Sequence, residues 1–331
     1  MAMPTSTPSP APNELLYLYK SEEGYKAIMQ LYEAMVKQIG IPIESHYVDT
    51  RFGYTHMLVC GPEDAEPLIL VQGVASSAPL WRHQIPALAE YFRVYALDIV
   101  GQPGKSAPNP LSFLNDEYWR WLTDIIDALH IEKAHFMGIS SGAWKIMRLA
   151  ISAPERVNKV VLISPMGLSH ARLPWKIWLR RVMKKSKDAD ALEEDLSAKS
   201  LQRSVIKGRG SFGVLDRQVA RAMALCTRHF RMDRALKIHN PKTGKISYIK
   251  GFRVLGRFLL SEPKSLLRKM QAEALIMFGE HDILYNPYKV AARAKKLLPH
   301  VTVDIIKGSG HGCIYDQPEE SNRKILDFLR N

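Results

Sequence analysis

Residues 133–144 read Lys-Ala-His-Phe-Met-Gly-Ile-Ser-Ser-Gly-Ala-Trp, a short apolar run that ends in Gly-x-Ser-x-Gly and passes straight into a helix-compatible segment. No other stretch constrains the chain as much. A strand, a tight turn and a helix follow one another this closely only if the serine takes backbone angles that are ordinarily avoided. A Cβ at Gly138 or Gly142 would collide with the neighbouring strand or helix, which explains a glycine at both positions. The turn lifts the Ser140 hydroxyl clear of the sheet and aims the Ser141 N–H at a carbonyl under attack. Gly-x-Ser-x-Gly also occurs in ordinary glycine turns. The strand before it and the helix after it are what make Ser140 a candidate nucleophile.

The chain around this turn alternates strand and helix. Ser21 to Gly40 carries Tyr25, Ile28, Met29, Tyr32 and Met35 at helical spacing. Ile43–Val48 and Thr55–Cys60 are β-like runs joined through Arg51-Phe-Gly-Tyr as a hairpin turn. Pro67–Val71 is continuously apolar, as a central strand buried on both faces requires. A small-residue loop from Gln72 to Ser77 leads to a helix from about Pro79 to Tyr91, then a strand at Phe92–Leu97. Trp119, Trp121, Leu122, Ile125, Ile126 and Leu129 mark the helix before the serine turn, and Lys159–Ile163 is the strand after it. The alternation stops between Leu168 and Met270, apart from a strand-like run near Lys245–Ile249, and resumes at Ala274–Phe278 and Val301–Ile306. The expected fold is α/β, a doubly wound, mostly parallel sheet with a helical cap insertion. It divides the chain into a Ser/Thr/Pro-rich tail (1–12), a core (13–167 and 271–331) and a cap (168–270).

The net charge of +13 is concentrated in that insertion. Leu168 to Met270 holds 25 Lys and Arg against 8 Asp and Glu, while the rest of the chain holds 21 against 25. The three cysteines, Cys60, Cys226 and Cys313, are too far apart for a disulfide framework or a thiolate metal site, which suits a reducing compartment. No apolar run approaches the ~20 residues of a membrane span. Leu15–Tyr19 is too short for the apolar part of a signal peptide and has no basic residues before it. A cytoplasmic location is the expectation.

A serine hydroxyl needs a base within hydrogen-bond reach and a third group to orient that base. On a sheet with a nucleophile turn the partners follow in the order acid, then histidine, on loops after later strands. The loops available are Gly279-Glu280-His281-Asp282 and Gly308-Ser309-Gly310-His311-Gly312. Asp282 is the preferred acid and His311 the preferred base. Glu280 is a rival acid, closer to the strand end and so more exposed to capture by local turn bonds. His281 is a rival base, read more simply as a solvated loop histidine. The loop after Lys159–Ile163 begins Ser164-Pro-Met-Gly and offers no carboxylate. Gln72-Gly73-Val74 is placed to supply the second oxyanion donor, the Val74 N–H, beside that of Ser141. The histidines and acids nowhere cluster at ligand spacing, so neither a metal nor another cofactor is implied.

From about Thr50 to the C-terminus the chain resembles the α/β-hydrolase superfamily, and in particular its bacterial carboxylesterase-like members with a helical cap. Besides Ser140, Asp282 and His311, the resemblance includes Asp98-x-x-Gly101 with Gly104 and Ser106, similar to the family's DxxGxGxS loop with a proline inserted. Trp81 stands where the family often has an aromatic residue. One departure is Gln72-Gly73 where the family usually has His-Gly, and it implies an altered loop still braced by an amide. A serine at the turn is unlike the aspartate of dehalogenases and epoxide hydrolases. Gly312-Cys313 lacks the aromatic residue usual after the histidine of carbon–carbon bond hydrolases. The resemblance implies hydrolysis of a small-molecule carboxylic ester, thioester or lactone. Fold alone does not fix the substrate. The alternatives are acyl transfer with the same residues, or a ligand receptor that turns over slowly.

Within the insertion Trp175, Trp178, Leu179, Val182 and Met183 form one helical stripe, with Lys176, Arg180, Lys184, Lys185 and Lys187 largely off it. Such a helix can be a lid that favours anionic esters, a contact for an anionic membrane surface or acidic partner, or a solvated face packed on the core. No nucleic-acid motif accompanies the charge, so no nucleic acid is expected as partner. Val219, Met223, Cys226 and Phe230 read as the apolar core of the cap.

Overall fold

The computed structural model describes residues 15–113, 115–171, 216–235, 237–239, 246–248 and 261–331. The tail 1–12 and the basic stripe around Trp175–Lys187 lie outside the described residues.

Eight strands form one sheet: β1 (Glu44–Thr50), β2 (Gly53–Cys60), β3 (Pro67–Val71), β4 (Arg93–Leu97), β5 (Ala134–Ile139), β6 (Val157–Ile163), β9 (Glu273–Gly279) and β10 (Val301–Ile306). Their order is β1-β2-β4-β3-β5-β6-β9-β10, and only β1–β2 and β2–β4 pair antiparallel. The first hairpin closes at Thr50 opposite Gly53, so its turn is Arg51-Phe52. Buried runs become central strands because both faces of a parallel sheet are covered. Along β3, Ile69 and Val71 enter one core while Leu68 and Leu70 enter the other, as the period of two demands.

The first core is closed by helices α2 (Glu117–Ala128), α3 (Ser141–Ser152) and α5 (Pro287–Leu297). On the second face lie α1 (Glu22–Lys37), the short helix Ile85–Ala89 and α6 (Pro318–Arg330). Ser21 starts α1 by accepting the Gly24 N–H at 3.1 Å. The helix expected over 79–91 is two pieces, a 3₁₀ turn at Ala78–Trp81 and Ile85–Ala89. Pro86 has no N–H to continue a helix from the first piece into the second. All three cysteines are buried free thiols. No helix among the described residues is long and apolar enough to cross a membrane.

The described part of the insertion holds α4 (Arg217–His229) and a two-stranded hairpin of β7 (Lys237–His239) with β8 (Ile246–Tyr248), so it is not purely helical. Asp216 caps α4, accepting the Gln218 N–H at 2.8 Å and the Val219 N–H at 3.1 Å. The same carboxylate is gripped by Arg82 and, at 2.6 Å, by His83 of the core. Burial alone would raise the Asp216 carboxyl, but hydrogen bonds from His83 and Arg82 hold it well below the usual carboxylate range. Among the described residues the α4 run packs on the core of the protein and not on a separate cap core. Cys226 and Phe230 pack with Leu18, Tyr19 and Ile28, while Val219, Ala220 and Ala224 join the second core. The Lys20 N–H donates to His229 O and the Arg231 N–H to Leu18 O, both at 2.8 Å. These bonds stitch the chain before α1 onto the end of α4. The reason is geometric: an amphipathic helix needs one apolar partner, and α1 presents it.

Candidate active site

Ser140 stands between β5 and α3 with φ 56° and ψ −113°. Such angles cost a non-glycine residue on the order of 1–3 kcal/mol and persist only where the surroundings over-determine them. Here the Ser140 N–H donates to Ile163 O at 2.8 Å, and the Ser140 carbonyl accepts the Met166 N–H at 3.1 Å and the Trp144 N–H at 3.2 Å. The flanking glycines are required for space and not for their own φ. A Cβ on Gly142 would lie 2.0 Å from Val71 O, and one on Gly138 would lie 2.6 Å from Ile146 Cδ1 and 2.8 Å from Ala143 N. The strain therefore falls on the serine.

The loop after β3 runs beside it, with the Cβ position of Gly73 3.7 Å from Ser140 Cβ. The N–H groups of Val74 and Ser141 donate to no acceptor among the described residues. Gln72 does not brace this loop as expected. Its amide is buried, and neither Oε1 nor Nε2 has a hydrogen-bond partner among the described residues. Other groups hold the loop instead. Gln102 Oε1 accepts the Ala75 N–H at 2.9 Å, Ser76 Oγ donates to Gly73 O at 2.8 Å, and Asp98 Oδ1 accepts the Ala78 N–H at 2.9 Å. Gln102, next to Pro103 in the 98–106 loop, thus supplies a brace from that neighbouring loop.

Asp282 and His311 come together. Asp282 Oδ2 lies 2.9 Å from His311 Nδ1, and Oδ1 accepts the Leu284 N–H at 2.8 Å and the Tyr285 N–H at 3.3 Å. An aspartate so held fixes the tautomer with Nδ1 protonated and Nε2 basic. Glu280 is engaged elsewhere: its Oε2 accepts the Gly308 N–H at 3.1 Å. His281 lies 3.5 Å from that same carboxylate and away from Asp282. Gly279 lets the two loops touch, since a Cβ there would lie 1.9 Å from Gly310 O. The Gly310 N–H is held at 2.8 Å by Asp316 Oδ2. The Tyr285 ring centroid lies 6.3 Å from that of His311, and burial, then the Asp282 charge, push its phenol up, so it stays neutral.

One residue that sequence reasoning passed over ties the parts together. The Ser164 N–H donates to Met277 O at 2.8 Å, and its hydroxyl donates to His311 O at 2.9 Å. Ser164 itself has φ 43°. The loop after β6 supplies no carboxylate, yet it holds both the histidine loop and, through Met166, the serine turn. The signal available was a small polar residue ending an apolar strand run.

A second histidine–aspartate pair lies in the core. His56 Nδ1 is 2.8 Å from Asp98 Oδ2, and His56 Nε2 is 2.7 Å from Ser45 Oγ. Asp98 also accepts from Tyr32 and from the Lys105 N–H, each at 3.0 Å. Neither His56 nor Asp98 has any exposed side-chain surface. Ser45 is the second residue of the edge strand β1, without a strained turn or a helix N-terminus behind it. No group of three or more His, Cys, Asp or Glu among the described residues could hold a metal ion.

Similarity to known proteins agrees with this architecture. Residues 66–318 match the family described as alpha/beta hydrolase fold. Carboxylesterase YbfK of Bacillus subtilis is 31% identical over 310 residues, covering 91% of this chain and 94% of that protein. The crystal structure of the same protein, also called CesB, superposes with a TM-score of 0.70 at 28% identity, covering 93% of this chain and 98% of that one. Naproxen esterase of B. subtilis superposes with a TM-score of 0.72 at 26% identity, over 94% and 99% of the two chains. With a strained serine turn on a β1-β2-β4-β3-β5-β6-β9-β10 sheet and a family match over most of its length, this chain belongs to the α/β-hydrolase fold family.

Proposed function

We propose that this protein hydrolyses carboxylic esters through an acyl-enzyme on Ser140. The observation that carries the reading is the Asp282–His311 pair, 2.9 Å apart, tied by Ser164 to the loop that also bonds the Ser140 turn. Relatives named as carboxylesterases, matching along nearly their whole length, favour the ester as substrate class.

In this reading His311 Nε2 takes the Ser140 proton as Oγ attacks the ester carbonyl. The carbonyl oxygen becomes negative and accepts hydrogen bonds from the Val74 and Ser141 N–H groups; one such donor is worth ~3 kcal/mol. The tetrahedral intermediate collapses, the C–O bond to the alcohol breaks, and His311 returns its proton to the leaving oxygen. Water then attacks the acyl-enzyme with His311 again as base, and the carboxylic acid leaves. Asp282 keeps the imidazole in the right tautomer and stabilises the imidazolium. Gly138 and Gly142 leave the room the serine turn needs, and Gly73 lies beside it. No step uses a metal or another cofactor.

The substrate is a small molecule, and the basic insertion favours esters that carry an anionic group, because a local excess of Lys and Arg concentrates anions near it. The experiment that tests the function is hydrolysis of short p-nitrophenyl esters by the wild type and Ser140→Ala. Turnover by the first and not the second supports the reading. Turnover by neither contradicts it.

A further inference from the structure

Lys145 follows Ser141 by one helical turn on α3 and is 1% exposed. Its amine lies 3.2 Å from the Ser141 hydroxyl and 3.3 Å from the Ser141 carbonyl oxygen. It also stands over two rings, 5.0 Å from the centroid of Phe113 and 4.5 Å from that of Tyr118. Trp144 stacks on Phe113 and closes the aromatic wall.

Among the described residues, the charged and titratable groups on the surrounding elements are engaged elsewhere or neutral. Glu117 accepts from the Ser112 N–H and from Asn115. Asp116 pairs with Arg148 of α3, and Glu262 accepts the Trp144 indole N–H. The Tyr118 phenol is pushed up by burial and stays protonated. No carboxylate pairs with Lys145 among the described residues, and burial lowers its amine to about 7. An unpaired buried amine is costly, and an apolar side chain of the same length would fill the space without that cost. Among the described residues every polar contact it makes goes to Ser141, whose N–H is an oxyanion donor in the proposed reaction.

We propose that Lys145 is a positioning residue for ester hydrolysis: its ammonium fixes the first turn of α3 through Ser141 and places positive charge behind the oxyanion-binding N–H groups. The inference rests on the acyl-enzyme chemistry at Ser140. A charge in a dry pocket acts on a nearby forming anion far more strongly than it would in water. The N-terminal end of the α3 dipole acts in the same direction. Loss of the Lys145 proton removes this support from the transition state while leaving substrate contacts in place. The effect belongs in kcat and not in KM.

The test is kcat and KM against pH, from about pH 5.5 to about pH 9.5 to bracket the amine, for the wild type, Lys145→Met and Lys145→Arg. Labelling of Ser140 by a fluorophosphonate probe is followed by peptide mass in each. The wild type is expected to lose kcat as the pH rises past neutrality. Lys145→Met is expected to show kcat about tenfold lower at neutral pH, KM within about twofold, and no fall on the alkaline side. Lys145→Arg keeps the charge and is expected to hold its kcat into the alkaline range. Any acid limb belongs to the general base and is common to all three. If Lys145→Met is folded and reproduces the wild-type profile, or changes only KM, the assignment of Lys145 is overturned. Where the arginine does not fit, the methionine variant decides alone. Absence of probe reaction at Ser140 in the wild type overturns the chemistry beneath the inference, and the inference with it.

Discussion

His311–Asp282 and His56–Asp98 have nearly the same geometry, 2.9 Å and 2.8 Å from Nδ1 to carboxylate, and very different surroundings. The first pair sits on loops at the carboxyl ends of β9 and β10, with the His311 side chain 12% exposed. The second is sealed between α1, β2 and β4, and both of its side chains are fully buried. Asp98 spends its remaining capacity on Tyr32, the Ala78 N–H and the Lys105 N–H, so it fastens three segments to one another. Asp282 spends its second oxygen on its own loop, which orients it towards one imidazole only. The comparison teaches that a histidine–aspartate contact is not a catalytic signature. What differs is the serine: the proposed nucleophile Ser140 is strained to φ 56° before a helix, whereas Ser45 beside His56 lies in an ordinary edge strand.

The comparison breaks most visibly at the serine. Ser140→Ala is expected to reduce ester hydrolysis by ~10⁶, as in serine-triad knockouts, and Ser45→Ala is expected to leave kcat/KM unchanged. Steady-state rates on one activated ester measure both. At the acids, Asp282→Asn is expected to cost ~10⁴ in kcat through the wrong tautomer. Glu280→Gln, which removes the charge beside the Gly308 N–H and His281 but keeps an acceptor oxygen, is expected to cost less than about tenfold. The opposite ranking in folded variants would move the acid to Glu280.

The buried pair responds in stability instead. Asp98→Asn is expected to destabilise the fold by ~3–5 kcal/mol, because one partner of a sealed network is lost. Whatever remains folded should keep kcat/KM within a few fold. Denaturant unfolding beside kinetics separates the two effects.

Lys145→Met sharpens the contrast from the other side. The folded amine is lowered to about 7 by burial, while the unfolded chain keeps the ordinary lysine value. Between those two values the unfolded state binds more protons, so wild-type stability rises with pH there. The variant should be more stable than the wild type by up to ~4 kcal/mol below neutrality. The gap should close as the pH approaches ~10. A gap independent of pH would mean that Lys145 is not buried as a charge.

The smallest effect concerns the insertion. If its Lys and Arg excess borders the entrance, an ester bearing a carboxylate should lose kcat/KM severalfold with rising salt, over a Debye length of ~8 Å at physiological ionic strength. A neutral analogue should barely respond. Equal responses would mean that the charge faces away.

Much of this was legible because the controlling interactions are local. The serine turn shows in the sequence through Gly138 and Gly142, whose missing Cβ atoms leave room within a few residues of Ser140. The loops with Asp282 and His311 stand out because each follows an apolar run long enough to be a buried strand, and the two side chains do meet at 2.9 Å. The braces were not legible. Ser164 on Met277 and His311, Gln102 on Ala75, and Asp98 on Ala78 all depend on strand order, which fixes which loops are neighbours. The amide at Gln72 was expected to do this work, but its two polar atoms have no partner among the described residues, and Gln102 and Asp98 hold the loop instead. The α4 stripe was legible as apolar, but its partner, α1, lies nearly two hundred residues earlier in the chain.

The most direct measurement is peptide mapping of the protein after reaction with a fluorophosphonate, run on the wild type and Ser140→Ala side by side. The account predicts a single adduct on Ser140 in the wild type and none in the variant. An adduct on Ser45, or one that persists in folded Ser140→Ala at the same site as in the wild type, would contradict it.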